Sequence, residues 1–178
     1  MYCVSEADQG GESLLASSVY LHDVIQKERP DLLQCLYEPF NYSFPEWELS
    51  DDSNATCPVF SSYSGYVSSH YIRGRIKLFS DEVRRCRQLE ALNYLDNLLD
   101  SGDYNISFLL KKGDILFFNN LTNYHSRTEF FDSSKNGKVR KIYRVWLSDK
   151  QSRPLSSDLN SFYTEQEDGT RGGVKPYL

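Results

Sequence analysis

Short apolar runs broken at close intervals by turn residues limit what this chain can fold into more than any other feature. Between Tyr104 and Leu147 the sequence reads as Tyr104–Leu110, the turn Lys111-Lys-Gly-Asp114, the run Ile115–Phe118, a polar loop holding His125, and a last run Lys141–Leu147. Each run is too short for an ordinary helix, and short strands with tight turns predict a sheet that curls upon itself. The first half has the same grain, with strands predicted at Met1–Val4, Cys57–Tyr63 and Tyr71–Phe79 and a glycine turn at Gln9–Ser13. Tyr37–Ser53, interrupted by Pro39 and Pro45, reads as a loop crossing the sheet.

Three segments switch to helical spacing. Val19, Leu21, Val24 and Ile25 follow a cap at Ser17 or Ser18, a second short helix around Asp31–Leu36 follows Pro30, and Asp81–Asp100 presents Val83, Leu89, Leu92, Leu95 and Leu99 before Gly102. The expected class is mainly β with flanking helices. The expected organisation is one domain over 1–148 with a polar tail over 149–178, where Pro154, Pro176 and the GTRGG run make a surface-wrapping segment.

Size and charge exclude several functions. A chain of 178 residues can bury a real core. Its net charge is −5, with basic residues grouped only at Arg73–Lys77, Arg84–Arg87 and Lys138–Arg144, which gives no broad footprint for nucleic acid. Cys3, Cys35, Cys57 and Cys86 lie far apart without zinc-ligand spacing, so reduced thiols and a cytoplasmic location are expected. No run approaches the roughly 18 apolar residues of a membrane span. Sequons at Asn41, Asn54, Asn105 and Asn120 carry weight only in a secreted chain, and chance accounts for them here.

The residues able to carry chemistry cluster late. His125 follows an apolar run, and Arg140 and Arg144 stand four apart on the next one, so one imidazole and two fixed cations are expected to face one cavity. Either arginine could instead be an edge-strand charge that discourages sheet aggregation. His22 is expected in a structural role on its helix, and His70 as a hydrogen-bonded strand-edge residue.

Four stretches in order carry a resemblance: GGESLLASS at Gly10–Ser18, GDILFFNN at Gly113–Asn120, YHSRTEF at Tyr124–Phe130 and RKIYRVWL at Arg140–Leu147. Together they resemble the taurine dioxygenase (TauD/TfdA-like) family of Fe(II)- and 2-oxoglutarate-dependent oxygenases. The resemblance implies a double-stranded β-helix, or jelly roll, in which His125 is the distal metal ligand, Arg140 holds the far carboxylate of 2-oxoglutarate, Ser13 adds a hydroxyl to it, and Arg144 contacts the cosubstrate or an anionic group of a small-molecule substrate. A bidentate guanidinium suits such a carboxylate. The family's first histidine and carboxylate come from an HxD/E motif, and none exists in this sequence. The expectation is therefore the C-terminal portion of such a domain, a jelly roll lacking its first strands, inactive alone. Its expected partner is a complementing N-terminal segment or a second copy in a homo-oligomer. The alternatives are a non-catalytic remnant or interaction domain and one piece of a split enzyme.

Overall fold

A computed structural model describes residues 1–43, 54–149, 151–165 and 171–174. The chain runs through β1 (Tyr2–Ser5), β2 (Gln9–Gly10), β3 (Ser13–Ser17), α1 (Ser18–Glu28), α2 (Pro30–Leu36), β4 (Phe40–Ser43), β5 (Asn54–Cys57), β6 (Phe60–Tyr63), β7 (Tyr66–Ser69) and β8 (Ile76–Lys77). It continues through α3 (Glu82–Asp100), β9 (Asn105–Phe108), β10 (Asn123–Arg127), β11 (Phe130–Phe131), β12 (Lys141–Tyr143), β13 (Tyr163–Glu165) and β14 (Arg171–Val174). The class is mainly β, as expected.

Strand β3 organises the half that carries the candidate site. It lies between β10 and β9 in an antiparallel three-stranded sheet. Two small ladders flank that sheet in sequence, β1 with β12 and β2 with β11. A second sheet has β4 between β5 and β8, and β6 and β7 form a hairpin across Ser64-Gly65.

The helices follow local rules. Ser17 caps α1 by accepting from the Tyr20 amide at 3.2 Å, and Asp81 caps α3 by accepting from the Arg84 amide at 2.8 Å. Pro30 opens α2, where its missing N–H costs nothing. The buried face of α3 is Gln88, Ala91, Leu92 and Leu95, whereas Val83 is 80% exposed. Leu92 and Leu95 of the predicted apolar face are buried as expected, but residues 82–87, Val83 among them, are exposed, and Gln88 and Ala91 complete the buried face in place of Val83 and Leu89.

The core joins these helices to β4, β6 and the loop before β10, with Leu21, Ile25, Leu36, Phe40, Tyr42, Phe60, Leu92, Leu95 and Leu121 fully buried. Each such side chain contributes about 1.5–3 kcal/mol by leaving water. Leu159, Phe162 and Tyr163, from the segment read as a polar tail, belong to the same core. His22 is buried on α1 and bonds Asp23 and Tyr37, which is the structural role expected. His70 differs from expectation: its backbone is hydrogen-bonded to Val59, but its ring Nε2 is shut off from solvent and has no hydrogen-bond partner among the described residues, while the ring stacks 4.0 Å from Phe162.

Five predicted elements changed. The strand read over Cys57–Tyr63 divides at Pro58, which has no amide proton to donate, and the predicted 37–53 loop contains strand β4, its 44–53 part lying outside the described residues. In Tyr71–Phe79 only Ile76–Lys77 is strand. Tyr71 and Arg73 are instead drawn to Asp96 of α3 by hydrogen bonds of 2.5 and 2.8 Å. The runs Ile115–Phe118 and Lys141–Leu147 shrink to a single bridge at Ile115 and to Lys141–Tyr143.

Candidate active site

His125 sits in β10 directly opposite Leu15 of β3, and two residues away Arg127 is opposite Ser13. The two-residue period places Ser13, Leu15, His125 and Arg127 on one face of this sheet. The other face turns Ala16 and Tyr124 to the core, where the Tyr124 hydroxyl bonds Ser69 Oγ. His125 is half-buried, its ring centre 4.8 Å from that of Phe118. Burial first, and the Arg144 charge second, push its pKa below the ordinary histidine value, so the imidazole is neutral near neutral pH with a lone pair free.

Arg144 extends from the end of β12, exposed, with its guanidinium 5.4 Å from the Trp146 ring. With His125 it lines two cavities, of about 780 and 610 Å³. Arg140, on the other side of β12, lines neither; it is half-buried beside Phe130, 5.3 Å from the ring centre, while Arg127 sits 4.4 Å from the same ring. The Arg140 amide donates to the Asp132 carboxylate at 2.8 Å. No carboxylate among the described residues pairs with the guanidinium of Arg140 or Arg144, so both retain unspent bidentate donors.

The glycine turn explains how Arg140 fits. Gly10 and Gly11 have φ of +70° and +83°, a region that favours glycine. A Cβ on Gly11 would lie 3.2 Å from Arg140 Nε and 3.4 Å from the Phe130 Cβ. The backbone therefore comes in where a side chain would crowd the guanidinium. Thr128 locks the turn in place, its Oγ1 accepting from the Gly11 and Glu12 amides at 3.1 Å each while its hydroxyl bonds the Glu12 carboxylate. That hydroxyl holds the Glu12 carboxyl below its ordinary pKa. Ser13, buried, follows directly on this turn.

Of the four residues singled out in the sequence, His125 and Arg144 meet at the cavities and Ser13 shares the His125 face, whereas Arg140, expected at the same cavity, lines neither and lies against Phe130 and Gly11. Sequence reasoning missed Phe130, Arg127 and Thr128, although two aromatics close behind an arginine in RTEFF were a visible signal. The donor set does not fit an iron ion by itself. A non-haem iron centre of this kind needs two imidazoles and a carboxylate, and the described residues contain no group of three or more His, Cys, Asp or Glu able to hold a metal. No helix among them is long and apolar enough to cross a membrane.

Known proteins share this arrangement of elements. The chain is 28% identical to the taurine hydroxylase-like protein SAT17 of Stachybotrys chartarum, covering 92% of this chain and 44% of that protein. It is 25% identical to a uridine-5'-phosphate dioxygenase of Streptomyces sp, covering 78% of this chain and 52% of that one. It spans about half the length of the curated relatives it matches. Among solved structures, the non-heme iron oxygenase OrfP in complex with Fe and alpha-ketoglutaric acid superposes with a TM-score of 0.55 at 16% identity, over 78% of this chain and 40% of that one, which shows a shared fold. The model of the taurine catabolism dioxygenase TauD, TfdA family matches residues 1–146, and the chain belongs to that family.

Proposed function

We propose that this chain carries the distal histidine and the cosubstrate clamp of an Fe(II)- and 2-oxoglutarate-dependent dioxygenase built on a double-stranded β-helix, a hydroxylase of a small anionic metabolite. The observation that carries the reading is His125 beside the Arg144 cation at one cavity, Arg144 having no carboxylate partner among the described residues, with Arg140 nearby against Phe130. Arg140 and Ser13 would hold the far carboxylate of 2-oxoglutarate, and Arg144 an anionic group of the substrate or the cosubstrate's other end. In a completed site, His125, Arg140, Arg144 and Ser13 would hold iron and 2-oxoglutarate, and that pair would supply the O2-dependent decarboxylation of 2-oxoglutarate to succinate and CO2 coupled to hydroxylation of a C–H bond. His125 would give the metal one imidazole, and because the sequence holds no HxD/E motif to give the other two ligands, this chain alone would bind iron weakly and turn over no substrate. The names of its relatives include a uridine-5'-phosphate dioxygenase, and an OrfP complex contains a hydroxylated arginine; both agree with a polar, charged substrate.

Calorimetry with 2-oxoglutarate tests the clamp. Weak binding, abolished in Arg140→Ala, is the expected result for the chain alone; no binding by the unaltered chain refutes the clamp. Stoichiometric succinate formed with Fe(II), ascorbate, oxygen and 2-oxoglutarate would refute the inactivity of the isolated chain. The lack of a ligand triad among the described residues favours a second reading, a non-catalytic anion-binding module. That reading requires the 2-oxoglutarate affinity to be unchanged by Fe(II) even when a polypeptide bearing HxD is supplied, whereas the dioxygenase reading requires it to rise.

A further inference from the structure

Phe130 carries two cations. The Arg127 guanidinium lies 4.4 Å and the Arg140 guanidinium 5.3 Å from the centre of that one ring. Like charges brought to one ring repel each other, and the negative face of the ring offsets that repulsion by attracting each of them. Neither guanidinium pairs with a carboxylate among the described residues, so no acid draws them there.

The two arginines are anchored unequally. Arg127 belongs to strand β10, paired opposite Ser13 of β3 and two residues along from His125. Its guanidinium also donates from Nη1 to the Thr128 carbonyl at 3.2 Å. The Thr128 hydroxyl oxygen accepts in turn from the Gly11 and Glu12 amides, so Arg127 is tied to the segment that fixes the glycine turn. Arg140 stands just before the three-residue strand β12, and the bond it makes to Asp132 comes from its amide. Its guanidinium has no hydrogen-bond partner among the described residues. What bounds it is the Phe130 ring and the approach of Gly11, where an added Cβ would come within 3.2 Å of Nε.

We propose that Arg127 is a positioning residue for Arg140: it holds the Phe130 ring in place, and the ring sets the direction in which Arg140 presents its donors. The inference rests on the reading of Arg140 as the clamp for the far carboxylate of 2-oxoglutarate. Guanidinium donors lie in the plane of the group, so a guanidinium leaning on a ring keeps its edge free for a bidentate carboxylate. An acidic residue could fix Arg140 as firmly, but it would occupy the donors that the ligand needs. Arg127 itself touches no ligand in this arrangement and acts through Phe130.

The test uses the full chain with 2-oxoglutarate as the probe. Arg127 is exposed, and Arg127→Met removes its cation while keeping an unbranched side chain. In the free protein the Arg140 Nε–H resonance, assigned by its loss in Arg140→Lys, is expected upfield through the Phe130 ring current and should move to the position of an exposed arginine in Arg127→Met. By calorimetry, Arg127→Met is expected to weaken 2-oxoglutarate binding about threefold or more, and to weaken it no further in a chain that already carries Phe130→Leu. An Arg140 resonance unchanged by Arg127→Met overturns the proposal. An equal loss of affinity with and without Phe130→Leu also overturns it, since Arg127 would then act through its charge and not through the ring. If the chain does not bind 2-oxoglutarate, or binds it equally well in Arg140→Ala, the clamp reading fails instead, and the resonance alone decides by the same criterion whether Arg127 fixes Arg140. Neither readout depends on iron or turnover.

Discussion

The approach of Gly10 to Glu129 gives a sharp quantitative test. A Cβ at Gly10 would lie 2.2 Å from the Glu129 carbonyl oxygen and 3.2 Å from its carbon, both backbone atoms that cannot swing aside. Gly10→Ala therefore incurs two costs. Holding a non-glycine residue at φ +70° costs about 1–2 kcal/mol. Moving β2 away from β11 also breaks the bonds that flank the ladder, from the Asp8 amide to the Phe131 carbonyl at 2.9 Å and from the Gly11 amide to the Glu129 carbonyl at 3.1 Å. At about 0.5–1.5 kcal/mol net each, their loss adds roughly 1–3 kcal/mol. The total is about 2–5 kcal/mol. Gly65→Ala is the control: Gly65 has φ +79° but nothing within 4 Å of its added Cβ, so only the conformational cost of about 1–2 kcal/mol applies. Urea unfolding of the two variants measures the difference. If Gly10→Ala costs no more than Gly65→Ala, β2 does not pack on the 129–131 segment as described, and the account of how Arg140 is held fails with it.

Three further outcomes are expected. Gly11→Ala places a methyl 3.2 Å from Arg140 Nε, so 2-oxoglutarate binding should weaken several-fold, with a smaller stability loss than Gly10→Ala; calorimetry and urea unfolding on the same samples check both. Arg144→Gln removes one of the two causes that depress the His125 pKa, so that pKa should rise towards the ordinary value in an NMR titration, and the remaining depression reports burial alone. Burial, aided by Arg75, pushes His70 down to about 4, below the 6.5 it has when unfolded, so the folded state favours the neutral ring: stability is fully present above pH 6.5 and falls as pH drops from 6.5 towards 4. His70 contributes about 2 kcal/mol of loss by pH 5, so the drop in stability between urea unfolding at pH 7.5 and pH 5 should be smaller by about that amount in His70→Phe, the remainder including the His125 share.

Much of this arrangement was legible in the sequence where local chemistry decides. A cap at Ser17 or Ser18, a helix start at Pro30 and the glycine turn at Gly10-Gly11 each act through local backbone, and Ser17, Pro30 and the two glycines were found in those roles. What escaped depends on contacts distant in sequence. Tyr71–Phe79 alternates like a strand, yet Asp96, on a helix far along the chain, draws Tyr71 and Arg73 out of extended pairing. Residues 115–118 and 144–147 have strand composition but little ladder, because strand identity needs a partner as well as a propensity. In the candidate site, His125, Arg144, Arg140 and Ser13 could be named from motif order. That Arg140 leans on Phe130 while Arg144 turns to the cavities could not, since β12 ends between the two arginines and period-two reasoning stops with it.

The central place of β3 has a consequence for the birth of the protein. Ser17 pairs with Asn123, and Leu15 with both Ile106 and His125, so this strand emerges from the ribosome about a hundred residues before either partner. At about 5–20 residues per second, translation leaves Ser13–Ser17 without its ladder for roughly 5–20 s. Through that interval a Leu-Leu-Ala segment with both edges open waits beside a nascent α1, a natural landing point for a chaperone, and the sheet bearing His125 closes only once Arg127 has been made.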